Sequence, residues 1–351
     1  MPDVLVIADD LTGALDSGVA FAGAGRRVMV ARRVADLPDV LRSGAEIVVV
    51  STGTREADAA TAQARIREVM AAVDLSTIGL VFKKVDSRLK GRVTEEVAAL
   101  ADGLPVGTVV AVPAIPSMGR VQSQGRLTGM GVAVPIEVAG RFHGPVEVPD
   151  ARSDVELDRI VGTRSDVLWV GARGLAFALA RSLYGMAGVR ATPEVAQPFL
   201  VAIGSRDPIT LAQAEHLSHR VPVHVAPDGR MSAPPPVAPI AALQLTNGGG
   251  GRDGASAGAD FAEAVARTMA AHRSAALLAT GGETADAILD KLGIGTLEIR
   301  SEIAPGLPVC EAQAPWGSIT VMTKSGGFGA PGLLAEIAGQ DAPAEVWETT
   351  R

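Results

Sequence analysis

Short runs of Val, Ile and Leu alternate along the chain with longer segments whose apolar residues recur at helical spacing. In the first half of the chain these runs lie at 3–8, 27–31, 46–50, 78–83, 107–112 and 166–170. A second series lies at 199–204, 222–226, 241–246, 275–280 and 318–323. Strands that alternate with helices form mostly parallel sheets covered by helices. The pattern therefore predicts an α/β protein with such a sheet in each half.

A Pro-bearing stretch at 192–198 separates the two series of strands. Proline interrupts regular structure, and a chain of 351 residues is longer than a single core usually needs. We therefore expect two domains, 1–195 and 196–351, each a mostly parallel sheet flanked by helices, with an active-site cleft between them. The linker-like segments "SAPPPVAP" at 232–239 and "NGGGGRDGASAG" at 247–258 flank a strand of the second series, so we expect them to be surface loops of that domain.

Composition excludes several classes of function. The formal net charge of -7 disfavours a nucleic-acid backbone as the partner, because phosphate binding needs clustered Lys and Arg. The N-terminus lacks the pattern of a signal peptide, and no apolar run approaches the roughly 20 residues that span a bilayer. We therefore expect a cytoplasmic protein without a membrane partner. The single cysteine, Cys310, is expected to be a buried apolar residue, and the pair His216 and His219 is expected to lie on an exposed helix face without a metal.

Polar residues follow the strands of the first series, where ligands of open parallel sheets bind. Carboxylates, hydroxyls and cations come together there, a mixture that suits a small, anionic, hydroxylated ligand. The candidates are Asp9, Asp10, Thr12, Arg55, Lys84, Asp86, Ser87, Arg88 and Arg120. One of the two adjacent acids could simply cap the following helix, but capping accounts for only one of them.

Glycine turns follow three strands of the second series, in "AIGSRDPIT", "LATGGETADAIL" and "VMTKSGGFGAPGLL". Glycine lets the backbone approach a phosphate, and the helix that follows offers free N–H groups. Taken singly, each turn could be an ordinary helix cap or loop, whereas together they predict a nucleotide phosphate site. Neither a Walker A motif nor a G-x-G-x-x-G after the first strand is present.

Six motifs occur in an order that is similar to that of the four-carbon acid sugar kinase family: "VLVIADDLTGALDSG", "KKVDSRLKG", "PAIPSMGR…QGR", "GSRDPIT…Q", "TGGETADAIL" and "KSGGFG". The resemblance covers about residues 4–334. It implies an N-terminal domain that binds a four-carbon sugar acid and a C-terminal domain that binds ATP. The implied reaction is phosphorylation of threonate, erythronate or 3-oxo-tetronate at the terminal hydroxyl.

The resemblance also implies roles for individual positions. The family's paired acids fall on Asp9 and Asp10, and its "K-x-DS" motif falls on Lys84, Asp86 and Ser87. The nucleotide positions fall on Gly204, Ser205, Arg206, Gly281, Gly282, Glu283, Thr284, Ser325, Gly326, Gly327, Phe328 and Gly329. Two motifs depart from the family pattern, "DSRLKGR" in place of "DSTxRGN" and "KSGGFG" in place of "KSGNFG". These departures bear on which sugar acid is used.

Phosphoryl transfer depends mainly on positioning and on neutralising charge. We expect Lys324 and a Mg²⁺ ion held through the ATP phosphates to offset the negative charge of the transferring group. Arg88, Arg120 and Arg55 are candidates to bind the substrate carboxylate. Asp10 and Asp86 are both candidates for the base that accepts the proton of the attacking hydroxyl, and the sequence does not rank them.

Two other classes of function fit parts of the pattern. A non-catalytic sugar-acid sensor would keep both binding domains, and the altered "DSRLKGR" motif allows it. An NAD-dependent hydroxy-acid oxidoreductase is disfavoured, because the first strand ends in acids instead of a dinucleotide-binding glycine motif. The identity and stereochemistry of the sugar acid, the pathway and the assembly, including a homo-oligomer, stay open at this stage.

Overall fold

A computed structural model describes residues 2–162, 166–185 and 195–339. Strands and helices alternate through these ranges. The strands are β1 (Val4–Ala8), β2 (Val28–Ala31), β3 (Ile47–Ser51), β4 (Leu80–Lys84), β5 (Thr108–Val112), β6 (Arg120–Ser123), β7 (Arg126–Gly129), β8 (Ile136–Glu137), β9 (Val167–Gly171), β10 (Phe199–Ile203), β11 (Val223–Pro227), β12 (Ile240–Thr246), β13 (Ala276–Thr280), β14 (Thr296–Ala304), β15 (Leu307–Ala314) and β16 (Gly317–Lys324). The helices are α1 (Leu11–Gly23), α2 (Leu37–Arg42), α3 (Ala59–Ala72), α4 (Val93–Gly103), α5 (Asp154–Val161), α6 (Arg173–Tyr184), α7 (Pro208–Ser218), α8 (Gly254–His272), α9 (Gly282–Lys291) and α10 (Leu333–Ile337).

The described residues fall into two compact units. The first unit comprises 2–162, 166–185 and 295–302, and the second comprises 195–294 and 303–339. Residues 295–302 belong to the first unit because β14 pairs antiparallel with β2, with Leu297 opposite Val30. A division of the chain at one point between 195 and 196 therefore leaves out this segment, and the Pro-bearing stretch at 192–198 lies partly outside the described residues.

The first unit is built on a mostly parallel sheet in the order β14-β2-β3-β1-β4-β9-β5. Strand β1 lies between β3 and β4, with Ala8 opposite both Ser51 and Lys84. Because these three strands are parallel and end in register, the residues that follow them meet at one edge of the sheet. A small antiparallel sheet, β6-β7-β8, is inserted after β5.

The second unit has the strand order β11-β12-β10-β13-β16-β15. All of these strands are parallel except β15, which runs antiparallel to β16. Ile203 lies opposite Thr280, and Thr280 lies opposite Lys324, so β10, β13 and β16 also end side by side. The three glycine turns begin directly after these residues.

Aliphatic side chains dominate both cores. In the first unit every residue of β1 and β3 is buried, and α1 packs against β3 and α6. In the second unit Val201, Leu278 and Met322 lie in one apolar cluster with residues of α7 and α10. A sequence with only 3% aromatic residues must build its cores in this way, because large rings are scarce.

The α/β class and the mostly parallel sheets predicted from the sequence are confirmed, and each strand of the two predicted series is present within two residues of its expected position. The antiparallel strands β6, β7, β8, β14 and β15 were not predicted. Cys310 is buried as expected, and burial raises the pKa of its thiol to about 12. No helix within the described ranges is both long enough and apolar enough to cross a membrane.

Candidate active site

The centre of the polar edge in the first unit is an ion cluster around Arg55. Its guanidinium donates from Nε to Asp9 Oδ2 at 2.6 Å and from Nη2 to Asp9 Oδ1 at 2.8 Å. The same Nη2 donates to Asp10 Oδ1 at 2.8 Å, and Nη1 lies 3.7 Å from Asp86 Oδ2. We call Asp9, Asp10, Arg55 and Asp86 the Arg55 cluster. One cation therefore joins three carboxylates that the chain delivers from β1 and β4.

The two adjacent acids have different surroundings. Asp9 is 1% exposed, and although burial raises its pKa, the hydrogen bonds from Arg55 and the charge of Lys83 outweigh burial and lower it. Asp10 is the N-cap of α1 and accepts a hydrogen bond from Gly13 N at 2.9 Å through Oδ1. Burial raises the pKa of Asp10 more than Lys84 and Arg55 lower it. Asp10 is therefore both the helix cap and the acid more readily protonated, while Asp9 stays ionised.

One carboxylate oxygen of Asp10 is available to a ligand. Oδ1 accepts from Gly13 and Arg55, whereas Oδ2 accepts no hydrogen bond from any residue that the structure describes. An oxygen of a half-buried carboxylate with a raised pKa and no hydrogen-bond donor in the described residues is suited to accept a proton from a bound hydroxyl.

The loop after β4 holds its own acid in place. Asp86 Oδ1 accepts hydrogen bonds from Arg88 N at 2.9 Å and Lys90 N at 3.4 Å. Ser87 Oγ accepts from Arg120 Nη1 at 2.6 Å, and Arg120 also donates to the carbonyl of Met130. Burial, together with the charge of Arg88, lowers the pKa of Arg120. This loop and the start of β6 therefore present two cations next to Ser87.

Lys84 is a buried cation of this edge whose charge lowers the pKa of Asp9 and of Asp10. Its residue is 5% exposed, and in the described part of the chain its ammonium makes no hydrogen bond or ion pair. The amine lies above Gly13 in the first turn of α1, where a Cβ would stand 2.6 Å from Lys84 Nζ and 2.5 Å from Asp10 Oδ1. Only glycine at position 13 leaves room for both groups.

A second ion pair lies beneath the Arg55 cluster. Lys83 Nζ lies 3.0 Å from Glu96 Oε2, and both side chains are almost fully buried. Glu96 accepts a short hydrogen bond from Thr54 Oγ1, which lies 2.6 Å from Thr52 Oγ1. This chain of polar groups ties α4 to the ends of β3 and β4. Lys83 and Thr52 stand among the polar residues at the predicted strand ends, but no role was predicted for them, although a lysine within an apolar strand signals a buried partner.

In the second unit the three predicted glycine turns come together at the ends of β10, β13 and β16. We call them the glycine edge, which comprises Gly204–Arg206, Gly281–Thr284 and Ser325–Gly329. A Cβ on Gly204 would stand 2.1 Å from Thr284 Oγ1, and a Cβ on Gly326 would stand 2.4 Å from Ser205 Oγ. The turns therefore touch one another, and side chains at these glycines would fill the space between them.

Helix α9 begins at the glycine edge without a side-chain cap. Its N-cap residue is Gly281, at φ +96, and no side chain accepts a hydrogen bond from its first turn. An ordinary side-chain cap, the alternative left open for this turn, is therefore wrong, and Thr284 packs against Gly204. The free N–H groups and the positive end of the helix dipole are suited to a phosphate.

Lys324 is held by the loop that it precedes. Its ammonium donates to Thr210 Oγ1 at 3.1 Å and to the carbonyls of Ser325 and Gly326 at 3.0 and 3.1 Å. Burial lowers the pKa of Lys324 to about 8, against the opposing charge of Asp207. Lys324 therefore places a positive charge directly under the third turn and also fixes its shape.

Helix α7 supports the same loop from one side. Thr210 Oγ1 donates to the carbonyl of Gly326 at 2.7 Å, and Gln213 Nε2 donates to the carbonyls of Phe328 and Ala330 at 3.0 and 2.8 Å. Both residues lie within the motif "GSRDPIT…Q", but the sequence analysis did not assign them a role. Polar residues on the inner face of a helix were the signal that could have identified them.

The described residues fit a nucleotide better than a protein-held metal. Crowded glycines and an uncapped helix N-terminus form a surface for phosphate oxygens. In the ranges that the structure describes, no group of three or more His, Cys, Asp or Glu side chains is arranged to hold a metal ion. A Mg²⁺ ion would thus be bound mainly through the phosphates, as is usual for this ion.

The structure brings most of the predicted residues of the first unit together. Asp9, Asp10, Arg55 and Asp86 form one cluster, and Ser87 is hydrogen-bonded to Arg120. Thr12 lies in the first turn of α1 and is half-buried. Arg55, predicted to bind the substrate carboxylate, has acids of the protein as its partners. In the second unit Arg206 is exposed.

Comparison with known proteins identifies the family. The chain is 30% identical to the D-threonate kinase of Bordetella bronchiseptica, over 96% of this chain and 97% of that protein. The chain belongs to the four-carbon acid sugar kinase family. It is also 29% identical to the D-threonate kinase of Cupriavidus necator, over 94% of this chain and 96% of the relative. The 3-oxo-tetronate kinase of Methylobacterium radiotolerans is 26% identical to this chain, over 92% of this chain and 95% of that protein.

Two family models match separate parts of this kinase-family chain. Residues 4–168 match a sugar-binding N-terminal domain, and residues 230–334 match a nucleotide-binding C-terminal domain. The fold is similar to a crystal structure from Salmonella typhimurium LT2, with a TM-score of 0.76 and 19% identity over 95% of this chain and 98% of the other. A Haemophilus influenzae protein of the DUF1537 family gives a TM-score of 0.72 at 18% identity, with 95% and 99% covered. The resemblance stated from the motifs is confirmed.

Proposed function

We propose that this protein is an ATP-dependent kinase that phosphorylates the terminal hydroxyl of a four-carbon sugar acid. The observation that carries the proposal is its likeness to a D-threonate kinase along nearly the whole of both chains. The geometry is consistent with that likeness, since the first unit presents cations beside carboxylates and the second presents a glycine edge. Threonate, erythronate and 3-oxo-tetronate are the candidate substrates.

The first unit would bind the sugar acid. Lys84 supplies a buried ammonium that donates no hydrogen bond within the described residues, and Arg88 and Arg120 supply further positive charge beside Ser87. A substrate carboxylate gains charge-assisted hydrogen bonds from such groups. Arg55 differs, because Asp9 and Asp10 already accept its hydrogen bonds. Its role in this proposal is to hold the acids in position.

Asp10 is the better placed of the two candidate bases. Its Oδ2 accepts no hydrogen bond in the described structure and burial raises its pKa, whereas Asp86 Oδ2 lies 3.7 Å from Arg55 Nη1. In the proposed step the terminal hydroxyl oxygen of the substrate bonds to the γ-phosphorus of ATP, and the bond from that phosphorus to the β,γ-bridging oxygen breaks. The hydroxyl proton passes to Asp10, and ADP leaves.

The second unit would bind the nucleotide. The N–H groups at the start of α9 and the backbone of the glycine edge would donate to phosphate oxygens. Lys324 adds positive charge under the third turn. When bound, Mg²⁺ would offset the charge on the β and γ oxygens.

The test is ADP release by the purified protein with ATP, Mg²⁺ and a panel of sugar acids. D-threonate, L-threonate, D-erythronate, L-erythronate and 3-oxo-tetronate are assayed beside threitol, which lacks the carboxylate. We expect turnover of at least one acid, none of threitol, and phosphorus on C4 of the product by NMR. A protein that binds an acid and ADP without releasing ADP from ATP would instead be a sensor. Absence of both turnover and ADP binding would overturn the proposal.

A further inference from the structure

The glycine edge can extend toward a nucleoside in only one direction within the second unit. On one side of β16 the neighbouring strand β15 runs antiparallel and starts where the others end. On the other side β13, β10, β12 and β11 continue as parallel strands with their carboxyl ends at the same edge. Since neighbouring strands are about 4.8 Å apart, β11 lies about 14 Å from β13. An extended ADP has a comparable length from its terminal phosphate to its base, so its nucleoside would lie over the ends of β12 and β11.

An acid and a run of glycines occupy the ends of those two strands. Asp228 follows β11 and accepts a hydrogen bond from Gly248 N at 2.8 Å through Oδ1. Four consecutive glycines at 248–251 follow Asn247 after β12, and all four are exposed. A Cβ on Gly248 would stand 2.5 Å from Asp228 Oδ2. Asp228 is half-buried, and the glycines leave the space beside its second oxygen free of loop side chains.

We infer that Asp228 and the glycine run 248–251 form the ribose subsite of the nucleotide, with Asp228 Oδ2 accepting a hydrogen bond from a ribose hydroxyl. The inference rests on the proposed function, because it assumes that phosphates occupy the glycine edge. A carboxylate accepts hydrogen bonds only, and a ribose diol can donate them. An acid at the end of a neighbouring strand is a known solution for ribose in parallel sheets. The glycines allow the sugar to approach the backbone.

Asp228 also has a purely structural explanation, namely that it holds the glycine loop through Gly248 N. The two roles separate in the variant Asp228→Asn. The amide oxygen can keep the hydrogen bond from Gly248, and Asn tolerates the left-handed backbone of this residue, at φ +50. The oxygen that would accept from the ribose is replaced by an NH₂ donor. The loop is thus kept while the acceptor is lost.

The experiment measures the affinities of ADP, 2′-deoxy-ADP and 3′-deoxy-ADP by calorimetry, without any sugar acid. We expect one deoxy nucleotide to bind wild type about tenfold more weakly than ADP, the size of one hydrogen bond to a charged group. In Asp228→Asn, the affinity for ADP should fall to that of the weaker deoxy nucleotide. The difference in affinity between ADP and that deoxy nucleotide should then disappear. The control Asp260→Asn removes the same charge from α8, where Asp260 pairs with Arg230 and Arg252, and should keep the wild-type ratio.

Gly248→Ala provides a second test, since its Cβ would displace the Asp228 carboxylate. Gly248→Ala should also lose the difference in affinity between ADP and the deoxy nucleotide. Gly254→Ala, whose Cβ meets open space, should keep that difference. Two results would overturn the ribose subsite while leaving the kinase proposal intact. In the first, Asp228→Asn keeps the wild-type ratio of ADP affinity to deoxy-nucleotide affinity. In the second, the substitution lowers the affinities for ADP and for both deoxy nucleotides equally. No ADP binding by wild type would overturn the nucleotide role of the second unit and the subsite with it.

Discussion

Arg55 and Asp9 are joined by two parallel hydrogen bonds, from Nε to Oδ2 at 2.6 Å and from Nη2 to Oδ1 at 2.8 Å. Asp9 directly follows β1 and Arg55 follows β3, so the pair links the ends of these two neighbouring strands. A planar guanidinium matches a carboxylate in this way, whereas a lysine cannot. The relationship explains why two adjacent acids are tolerated at the end of a buried strand.

Arg55→Met should destabilise the protein, because it leaves the buried charge of Asp9 without its partner. We expect a loss of about 3 kcal/mol in the free energy of unfolding, measured with urea. The double variant Asp9→Asn/Arg55→Met should lose less of the free energy of unfolding, because the group left buried at position 9 is then a neutral amide. The pKa of Asp9 is lowered in the fold, so this stabilisation is present above the ordinary carboxyl range and is lost as the pH falls through the lowered value. Equal stability of the single and double variants would contradict this account.

Two glycines of α1 should respond in opposite ways to alanine. A Cβ on Gly13 would press on Asp10 Oδ1 and Lys84 Nζ, whereas one on Gly23 meets open space. We expect Gly23→Ala to stabilise the protein by about 0.5 kcal/mol without affecting activity. Gly13→Ala should lower kcat/KM for the sugar acid by about 100-fold, because small displacements of reacting groups are costly. Steady-state kinetics and thermal unfolding of both variants check this, and full activity of Gly13→Ala would contradict it.

Asp10→Asn should separate catalysis from folding. Asparagine caps a helix as well as aspartate does, so α1 should be retained. We expect kcat to fall by about 10²-fold to 10⁴-fold with ADP affinity unchanged. In wild type, kcat should fall as the pH decreases through the raised pKa of Asp10, because the base becomes protonated. Asp86→Asn is made in parallel, and a larger loss of kcat there would transfer the base role to Asp86.

The contact of Gly204 with Thr284 should make the glycine edge intolerant of a methyl group. Gly204→Ala places its Cβ 2.1 Å from Thr284 Oγ1, and overpacking of this kind costs about 2 kcal/mol. Adding Thr284→Ala should restore much of the stability. Gly258→Ala in α8, where nothing stands within 4 Å, serves as the control without a clash and should leave stability unchanged or slightly raised. Urea unfolding measures the effect, and an unrelieved loss in the double variant would show that the clash lies elsewhere.

Nucleotide affinity should depend on the ionisation of Lys324. Burial lowers its pKa to about 8, and Asp207 is the acid whose charge opposes that shift. Since a bound phosphate favours the charged ammonium, ADP affinity should decrease as the pH rises above 8, by at most about tenfold per pH unit for one proton. Lys324→Met should bind ADP weakly with little change between pH 7 and 9. Calorimetry in two buffers also reports proton uptake, and a flat wild-type profile would argue that Lys324 only holds its loop.

The sequence predicted the elements of the fold that follow a repeating local pattern. Buried strands that alternate with helices gave the parallel sheets, and the ends of those strands identified the Arg55 cluster and the glycine edge. The unpredicted strands are antiparallel ones. Thr296–Ala304 alternates apolar and polar residues, but its pairing with β2 joins positions more than 260 residues apart. No local pattern encodes such a partner, because the pairing is decided by packing of distant segments.

The sequence by itself determined the α/β class, the family and the types of residue at each strand end, because apolar periodicity and motif order are local properties. Only the tertiary structure decided which partner each of those residues contacts. It paired Arg55 with Asp9, placed the Lys84 ammonium near Asp9 and Asp10, and bound Lys324 to Thr210. These assignments depend on distances of a few ångströms between groups that the chain brings together from separate strands, and ionic and hydrogen-bond partners are fixed only at that scale.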